Sequence, residues 1–319
     1  MKKNLSKLAS IFVPLLLGVG LIVYQYNSFS AAELDIMRNC FREANYFYIY
    51  LSLFVALFGF LSRAYRWKYS IEHLGYKSKF HNNLMAVCIC YFVNLSIPRS
   101  GEISRALILK KYENIPFDKG FGTIIAERVI DTIIFLLIVI VSFLIQYDVL
   151  KEFIVQHIPL KTLTILGVIG IFSMLIAFYL YKYSKWKLIL TIKEKFSGLI
   201  EGVKSVFQMK KRWKFLFHSL FIWATYFLMF YISVFALKQT ENIGFKAVII
   251  GFVIGSLATG FTNSGFGAFP YMLSQIFLLY NIAEPVGSAF GWLVWTSQTA
   301  LMITLGALSF LFLPLLNRK

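Results

Sequence analysis

Apolar residues run almost without interruption along this chain, and the few polar breaks sort them into two kinds of segment. Long apolar segments lie at about 9–26, 46–66, 120–146, 162–181, 213–237 and 286–313. Several reach the roughly 20 residues a helix needs to cross a bilayer. Two more, 80–111 and 246–281, are apolar but broken. The first breaks at Ile97-Pro98-Arg99-Ser100-Gly101, the second at Thr262-Asn263-Ser264-Gly265-Phe266-Gly267, with Pro270 just after. Pro and Gly at these points interrupt a helix. The short alternating strands of a membrane β-barrel are missing from the pattern. It predicts an all-α polytopic membrane protein, about six full transmembrane helices plus two opposed re-entrant hairpins, as a single integral membrane domain over 1–319.

Charge decides whether the broken segments cross, because Lys and Arg concentrate on the cytoplasmic side of membrane proteins. If each returns to its own side, the stretches 1–8, 62–79, 99–119, 182–214 and 318–319 share one face. They hold 3, 5, 5, 10 and 2 Lys/Arg, 25 of the 32 in the chain. The opposite loops, 27–45, 147–161 and 238–246, hold two each, and Arg128 falls in a membrane helix. A single crossing by the first broken segment would put the basic cluster of 182–214 outside. The asymmetry therefore predicts hairpins, the first entered from the cytoplasm and the second from outside, with both termini cytoplasmic.

Segment starts at 46, 80 and 120 recur at 213, 246 and 286, and 9 recurs at 162. The second set would run through the membrane in the opposite sense. That is the pattern of an inverted-topology repeat with discontinuous helices in matching positions. The halves, about 1–146 and 162–319, share no convincing residue-level identity, so the expected repeat is architectural. Within the second half, Trp186, Ile189, Ile192, Phe196, Leu199, Val203 and Val206 recur every three or four positions between lysines. This predicts an interfacial amphipathic helix over about 185–211; the competing reading is a solvated linker, against which the periodicity argues. The basic start and apolar run of the N-terminus resemble a signal peptide. The run from Ala9 to about Tyr24 is long for that, and the expectation is a retained first helix.

Composition agrees: 58% hydrophobic and 15% charged residues, with mean hydropathy +0.69, where soluble domains hold about 25% charged. The net charge of +17 belongs to topology and anionic headgroups rather than nucleic acid, since no nucleic-acid motif is present. Cys40, Cys88 and Cys90 form neither a zinc spacing nor a disulfide framework. No His/Asp/Glu cluster has metal spacing and no P-loop occurs, so no cofactor is expected.

Against that background the stretch Asn94–Lys111, NLSIPRSGEISRALILKK, and the later Glu127-Arg128-Val129-Ile130-Asp131 stand out. A charge in a membrane segment costs ~2.5–3.5 kcal/mol by insertion scales and is usually functional. Arg99, Glu102 and Arg105 share a helix face; Glu127 and Asp131 are an i,i+4 pair, with Arg128 i,i+3 from Asp131. The six charges sum to zero, which fits a structural network pinning the hairpin to a neighbouring helix. They equally fit an anion site in which Arg99 or Arg105 meets phosphate through the planar guanidinium fork, with helix N-terminal donors after Pro98. In the second break, Asn263, Ser264, Gly265 and Gly267 form a flexible hydrogen-bonding tip. The spacing of Gly251 and Gly255 suits helix packing.

Asn94-x-x-x-Pro98-x-x-Gly101-Glu102-x-x-Arg105 with Glu127-Arg128-x-x-Asp131 resembles the lysylphosphatidylglycerol synthase transmembrane-region family, also called flippase-like domain proteins. The resemblance covers essentially the whole chain. It implies a cytoplasmic (inner) membrane protein of a bacterium that moves, or helps to move, lipids or lipid-linked groups between leaflets. In the bifunctional members a soluble aminoacyl-transferase domain follows. This chain stops at Lys319, so making lysyl-lipid is not expected of it alone. The family's second motif commonly reads as a Pro-Gly-Gly turn followed by an acidic residue; here Ser264 and Pro270 stand at the proline and acid positions.

The expected function is thus a flippase-like transporter of anionic phospholipid or lipid-linked phosphate. Asn94, Arg99, Glu102, Arg105, Glu127, Arg128, Asp131, Asn263, Ser264, Gly265 and Gly267 are its candidate substrate-binding residues. Two other classes stay open. One is a non-transporting membrane partner that presents the basic 185–211 helix to anionic lipid or to an enzyme. The other is an intramembrane enzyme, since Ser264 in NSGFG resembles a serine hydrolase loop, though without an obvious His partner.

Overall fold

A computed structural model of the chain describes residues 2–97, 100–147, 172, 179–180, 182–184, 186, 190 and 202–318, with backbone alone for 2–14 and 261. The described residues contain no strand. Their helices are α1 (Lys2–Ser28), α2 (Ala31–Glu43), α3 (Tyr46–His73), α4 (Phe80–Ser96), α5 (Gly101–Glu113), α6 (Phe117–Ile145), α7 (Arg212–Val234), α8 (Phe245–Phe261), α9 (Ala268–Leu278) and α10 (Glu284–Leu316). Helices α3, α6, α7 and α10 are each long and apolar enough to cross a bilayer; α1 and α2 meet that measure together, bent by 114° at the break between them. The expected span 162–181 and most of the expected interfacial helix 185–211 lie outside the described residues.

The chain forms two compact units, Met1–Ile125 with Lys210–Lys319, and Ala126–Met209. In the first, α3 and α7 run antiparallel along their whole length. The Asn45 amide donates to the Ala236 carbonyl at 2.7 Å at one end. At the other, Lys211 Nζ meets Glu72 Oε2 at 2.7 Å. Between them Gly59 lets Thr225 approach, its absent Cβ standing 3.0 Å from Thr225 Oγ1.

Each broken segment is an antiparallel helical hairpin. In α4–α5, Gly101 lies against the Cys90 carbonyl near the break. At the far end Glu113 Oε1 accepts from the Lys79 amide (3.0 Å) and Asn82 Nδ2 (2.6 Å). In α8–α9, Gly255 lies on the Phe269 ring and Gly251 on the Phe277 ring, their absent Cβ positions 2.7 and 2.9 Å away. The Gly251/Gly255 spacing is therefore a packing ridge. Helix α10 touches both hairpins: Gly287 and Gly291 lie on Ser274 and Pro270 of α9, and Gly306 lies on Phe92 of α4. Phe60, Trp67, Ile71, Ala86, Val87, Ala106, Leu109, Ile115 and Ile124 close the apolar core between α3, the first hairpin and the start of α6.

Two sequence expectations are corrected. The stretch 27–45, read as an outer loop, contains α2. Its start is set by a capping box in which Ser30 Oγ accepts from the Glu33 amide and Glu33 Oε2 from the Ser30 amide. The span read as ending at 66 continues to His73, because Ala64, Trp67 and Ile71 keep the apolar spacing and are all but fully buried. In the second unit, residues 202–208 are helical, with Val206 and Met209 buried and Lys204 and Phe207 exposed. There Gly202 approaches Val129 of α6, its absent Cβ 3.2 Å from Val129 Cγ2.

Candidate functional site

The first break is organised around Asn94. Its Oδ1 accepts the Gly101 amide at 2.8 Å, capping the first turn of α5 through a residue seven positions back. Its Nδ2 lies 3.4 Å from Glu102 Oε2. A Cβ on Gly101 would collide with the Cys90 carbonyl and the Asn94 side chain, so only glycine fits this crossing. Arg99 lies outside the described residues, and its expected place in the site is not seen.

The second break is a tip of left-handed residues, Ser264 (φ 54°), Gly265 (φ 81°) and Gly267 (φ 69°). Gly267 packs directly on Gly18 of α1, whose backbone fills the space a Cβ on Gly267 would take, and a Cβ on Gly18 would meet the Phe266 carbonyl. The two tips touch. Asn263 Nδ2 donates to the Leu95 carbonyl at 3.1 Å and Ser264 Oγ to the Asn94 carbonyl at 3.3 Å. Trp295 Nε1 of α10 donates to the Ser264 carbonyl at 2.8 Å. The polar groups of the two breaks, more than 160 residues apart in sequence, thus meet at one place.

Arg105 sits one turn beyond the Asn94 cap, 1% exposed in its helix. Its guanidinium stacks 4.0 Å from the centre of the Trp67 ring. That ring is held in turn by Trp67 Nε1 donating to Thr123 Oγ1 at 2.9 Å.

Two arginines that the sequence reading placed in a loop belong to the same interior. Arg63 and Arg66, 4% and 0% exposed, lie one turn apart on α3. Arg63 donates to Tyr226 OH at 3.0 Å beside a Tyr91–Tyr226 hydroxyl pair at 2.6 Å. Arg66 donates to Ser219 Oγ at 3.1 Å and faces the Phe215 ring at 5.4 Å. The signal available in sequence was the apolar spacing continuing around them; counting each arginine as a loop marker hid it. A further buried trio also had no sequence signal. Gln25 of α1 bonds both Ser274 of α9 (2.9 Å) and Ser288 of α10 (3.0 Å).

Glu127, Arg128 and Asp131 fall in the second unit, on α6. Glu127 is fully buried and Asp131 nearly so. Arg128, its side chain 41% exposed, approaches Asp131 at 4.0 Å. The structure therefore brings Asn94, Glu102, Asn263 and Ser264 together with the glycines of the second tip, sets Arg105 one turn away, and carries the Glu127–Asp131 group on another element. Arg63 and Arg66 join the buried charges.

The family model for the lysylphosphatidylglycerol synthase TM region matches residues 11–316. The chain belongs to that family. A UPF0104 membrane protein of Methanocaldococcus jannaschii is 26% identical over 281 residues, 80% of this chain and 82% of the relative. No solved structure matches the chain. As a member of the lysylphosphatidylglycerol synthase TM-region family, with several long apolar helices, it is a multi-pass membrane protein. Family membership covers both breaks and the charges around them, since all lie within the matched residues.

Proposed function

We propose that this family member moves lipids, or lipid-linked groups bearing phosphate, between the leaflets of a bacterial cytoplasmic membrane. The observation that carries the proposal is the meeting of two hairpin tips beside buried arginine. A lipid headgroup crossing a bilayer needs a polar foothold inside the hydrocarbon, and its phosphate needs a cation there. Non-helical backbone at depth is tolerated only where protein or a watery path covers it. Arg105 on its ring, with Arg63 and Arg66, supplies cations suited to bidentate phosphate contact.

An inverted repeat with re-entrant hairpins explains the arrangement. Helices α3, α4, α5 and α6 begin at 46, 80, 101 and 117; α7, α8, α9 and α10 begin at 212, 245, 268 and 284, each 165–167 later. The matching helices α3 and α7 are antiparallel, as halves of opposite topology require. Charge orients the first unit. The end formed by 72–80, 110–119, 210–214 and 317–318 carries ten Lys/Arg against three acids. The opposite end, 28–45, 236–246 and 279–284, carries four against five. The first is the cytoplasmic end by the positive-inside rule, and both termini fall inside.

The reading assigns no catalysis to the chain. Ser264 Oγ, the hydroxyl with a hydrolase-like sequence context, donates to a main-chain carbonyl, an arrangement suited to holding backbone rather than to attack.

The test is a leaflet-sidedness assay on proteoliposomes loaded with fluorescent phosphatidylglycerol. Wild type accelerates its movement over protein-free vesicles, and a folded Arg105→Ala variant falls at least tenfold below wild type. No acceleration by wild type sinks the transport reading. Equal rates remove Arg105 from it. Cysteines placed at Asn114 and Asn242 test the orientation: the first labels from the cytoplasm, the second from outside.

A further inference from the structure

Helix α4 ends at Ser96 with Ile97 extended, so the carbonyls of its last turn, Asn94 and Leu95 among them, have no helical donor. An orphaned carbonyl inside a membrane protein costs free energy comparable to a lost hydrogen bond unless another group reaches it. Here the donor comes from the other hairpin. Ser264 Oγ points at the Asn94 carbonyl, 170 residues away in sequence, and Asn263 Nδ2 takes the next carbonyl, Leu95. Ser264 holds a left-handed φ of 54° to do so, a conformation that disfavours residues with a side chain. Trp295 Nε1 pins that strained residue by its own carbonyl. On the other side of the junction, the Asn94 side chain caps Gly101 and lies against Glu102. Asn94 thus gives its carbonyl to the second hairpin and its amide to the helix that carries Arg105.

We propose that Asn263, Ser264 and Trp295 are positioning residues: the second hairpin caps the broken helix of the first in trans, and so sets α5 and its Arg105 rather than touching the lipid itself. The proposal rests on the transport reading only for the use made of Arg105; the cap stands or falls by itself.

A double-mutant cycle tests the cap without any transport assay. Ser264→Ala removes the hydroxyl, and Trp295→Phe removes the donor that holds Ser264 by its carbonyl. Ser264→Ala alone lowers the Tm in detergent by about 2–4 °C; in the Trp295→Phe background, where the hydroxyl is no longer held on the Asn94 carbonyl, the loss is less than half as large. Equal losses in both backgrounds overturn the trans cap. Hydrogen exchange gives an independent measure. In Ser264→Ala and in Trp295→Phe, amides of 94–105 exchange several-fold faster than in wild type. Unchanged exchange there overturns the proposal.

The role is then separated from ligand contact by headgroup. Ser264→Ala slows translocation by the same factor for phosphatidylglycerol and phosphatidylcholine probes, because it acts through α5. A loss confined to one headgroup makes Ser264 a lipid contact and refutes the positioning role. If wild type moves neither probe, the transport reading fails, and the cycle and the exchange data still decide the cap.

Discussion

The hairpins α4–α5 and α8–α9 share a plan and differ in chemistry. Both are antiparallel, both turn at a Gly-containing break, and their second helices begin at Gly101 and Ala268, 167 residues apart. Counted on that offset, Arg105 corresponds to Met272 and Glu102 to Phe269. The second hairpin packs with glycines against rings and carries no charge between 247 and 283. A hairpin of this shape therefore needs no buried ion to stand. The charges of the first hairpin are an addition to the architecture, and an addition costing several kcal/mol per charge in hydrocarbon calls for a function. The second hairpin supplies what the first lacks, donors for the carbonyls at its break.

The largest test of this contrast truncates the side chains at Arg105 and Met272. Arg105→Ala abolishes most lipid movement and destabilises by about 3 kcal/mol, because groups arranged around a buried cation lose it. Met272→Ala, at a 41% exposed position, changes stability by no more than about 0.5 kcal/mol. Thermal unfolding and sidedness assays on the same preparations check both. Equal effects would erase the distinction between the hairpins.

Steric tests come next. Gly101→Ala drives a methyl into the Cys90 carbonyl, backbone that has no flexible end to yield, and costs ~1–3 kcal/mol. Gly267→Ala meets Gly18 and also holds φ 69°, so its loss is at least as large. Gly260→Ala has open space around it and stabilises α8 by about 0.5–1 kcal/mol. Chemical or thermal unfolding in detergent ranks the three.

A smaller difference is expected between Asn94 and Thr259, its counterpart at the α4–α8 offset of 165. Asn94→Ala removes the cap on Gly101 and costs about 1 kcal/mol. Thr259 Oγ1 only bonds the Gly255 carbonyl of its own helix, and Thr259→Val stays within about 0.5 kcal/mol. Amide exchange at Gly101 reports the first change and not the second.

The smallest effect is one of pH, at the contact between Glu72 of α3 and Lys211 beside α7. The hydrogen bond and charge of Glu72 raise the pKa of Lys211 above its ordinary value. A raised folded pKa means the contribution is complete below the ordinary lysine value, about 10.4, and is lost as pH rises through the folded one. The contact is exposed and its effect small. Faster amide exchange at the start of α7 above pH 10, absent in Glu72→Gln, is the measurement. The far end, where Gln275 meets Glu284 at 2.8 Å, shows no such rise in that range.

Much of the fold was legible along the chain. Segment starts at 46, 80 and 246 fall within one residue of the helix starts, because long apolar runs and the loss of N–H donors at proline are local properties. The glycine-rich second break was legible too, as a turn. Arg63 and Arg66 were not, since an arginine inside an apolar run reads the same whether it ends the helix or is covered by a partner. Their covers, Ser219 and Tyr226, lie 153 and 163 residues further on. The helix at 31–43 was missed for a simpler reason: its capping box was present but its residues were too polar to count as a segment.

The amino-acid sequence by itself determined a helical membrane protein, the two places where helices break, and the end at which the basic residues gather. Each follows from neighbours in the chain: hydrocarbon length, a missing amide hydrogen, a local count of charge. Only the tertiary structure decided that the second hairpin's Ser264 answers the Asn94 carbonyl at the end of α4, and that three arginines lie inside. Those outcomes depend on groups brought together from distant parts of the chain, where the low cost of a satisfied polar group and the high cost of an unsatisfied one choose among partners no local pattern can rank.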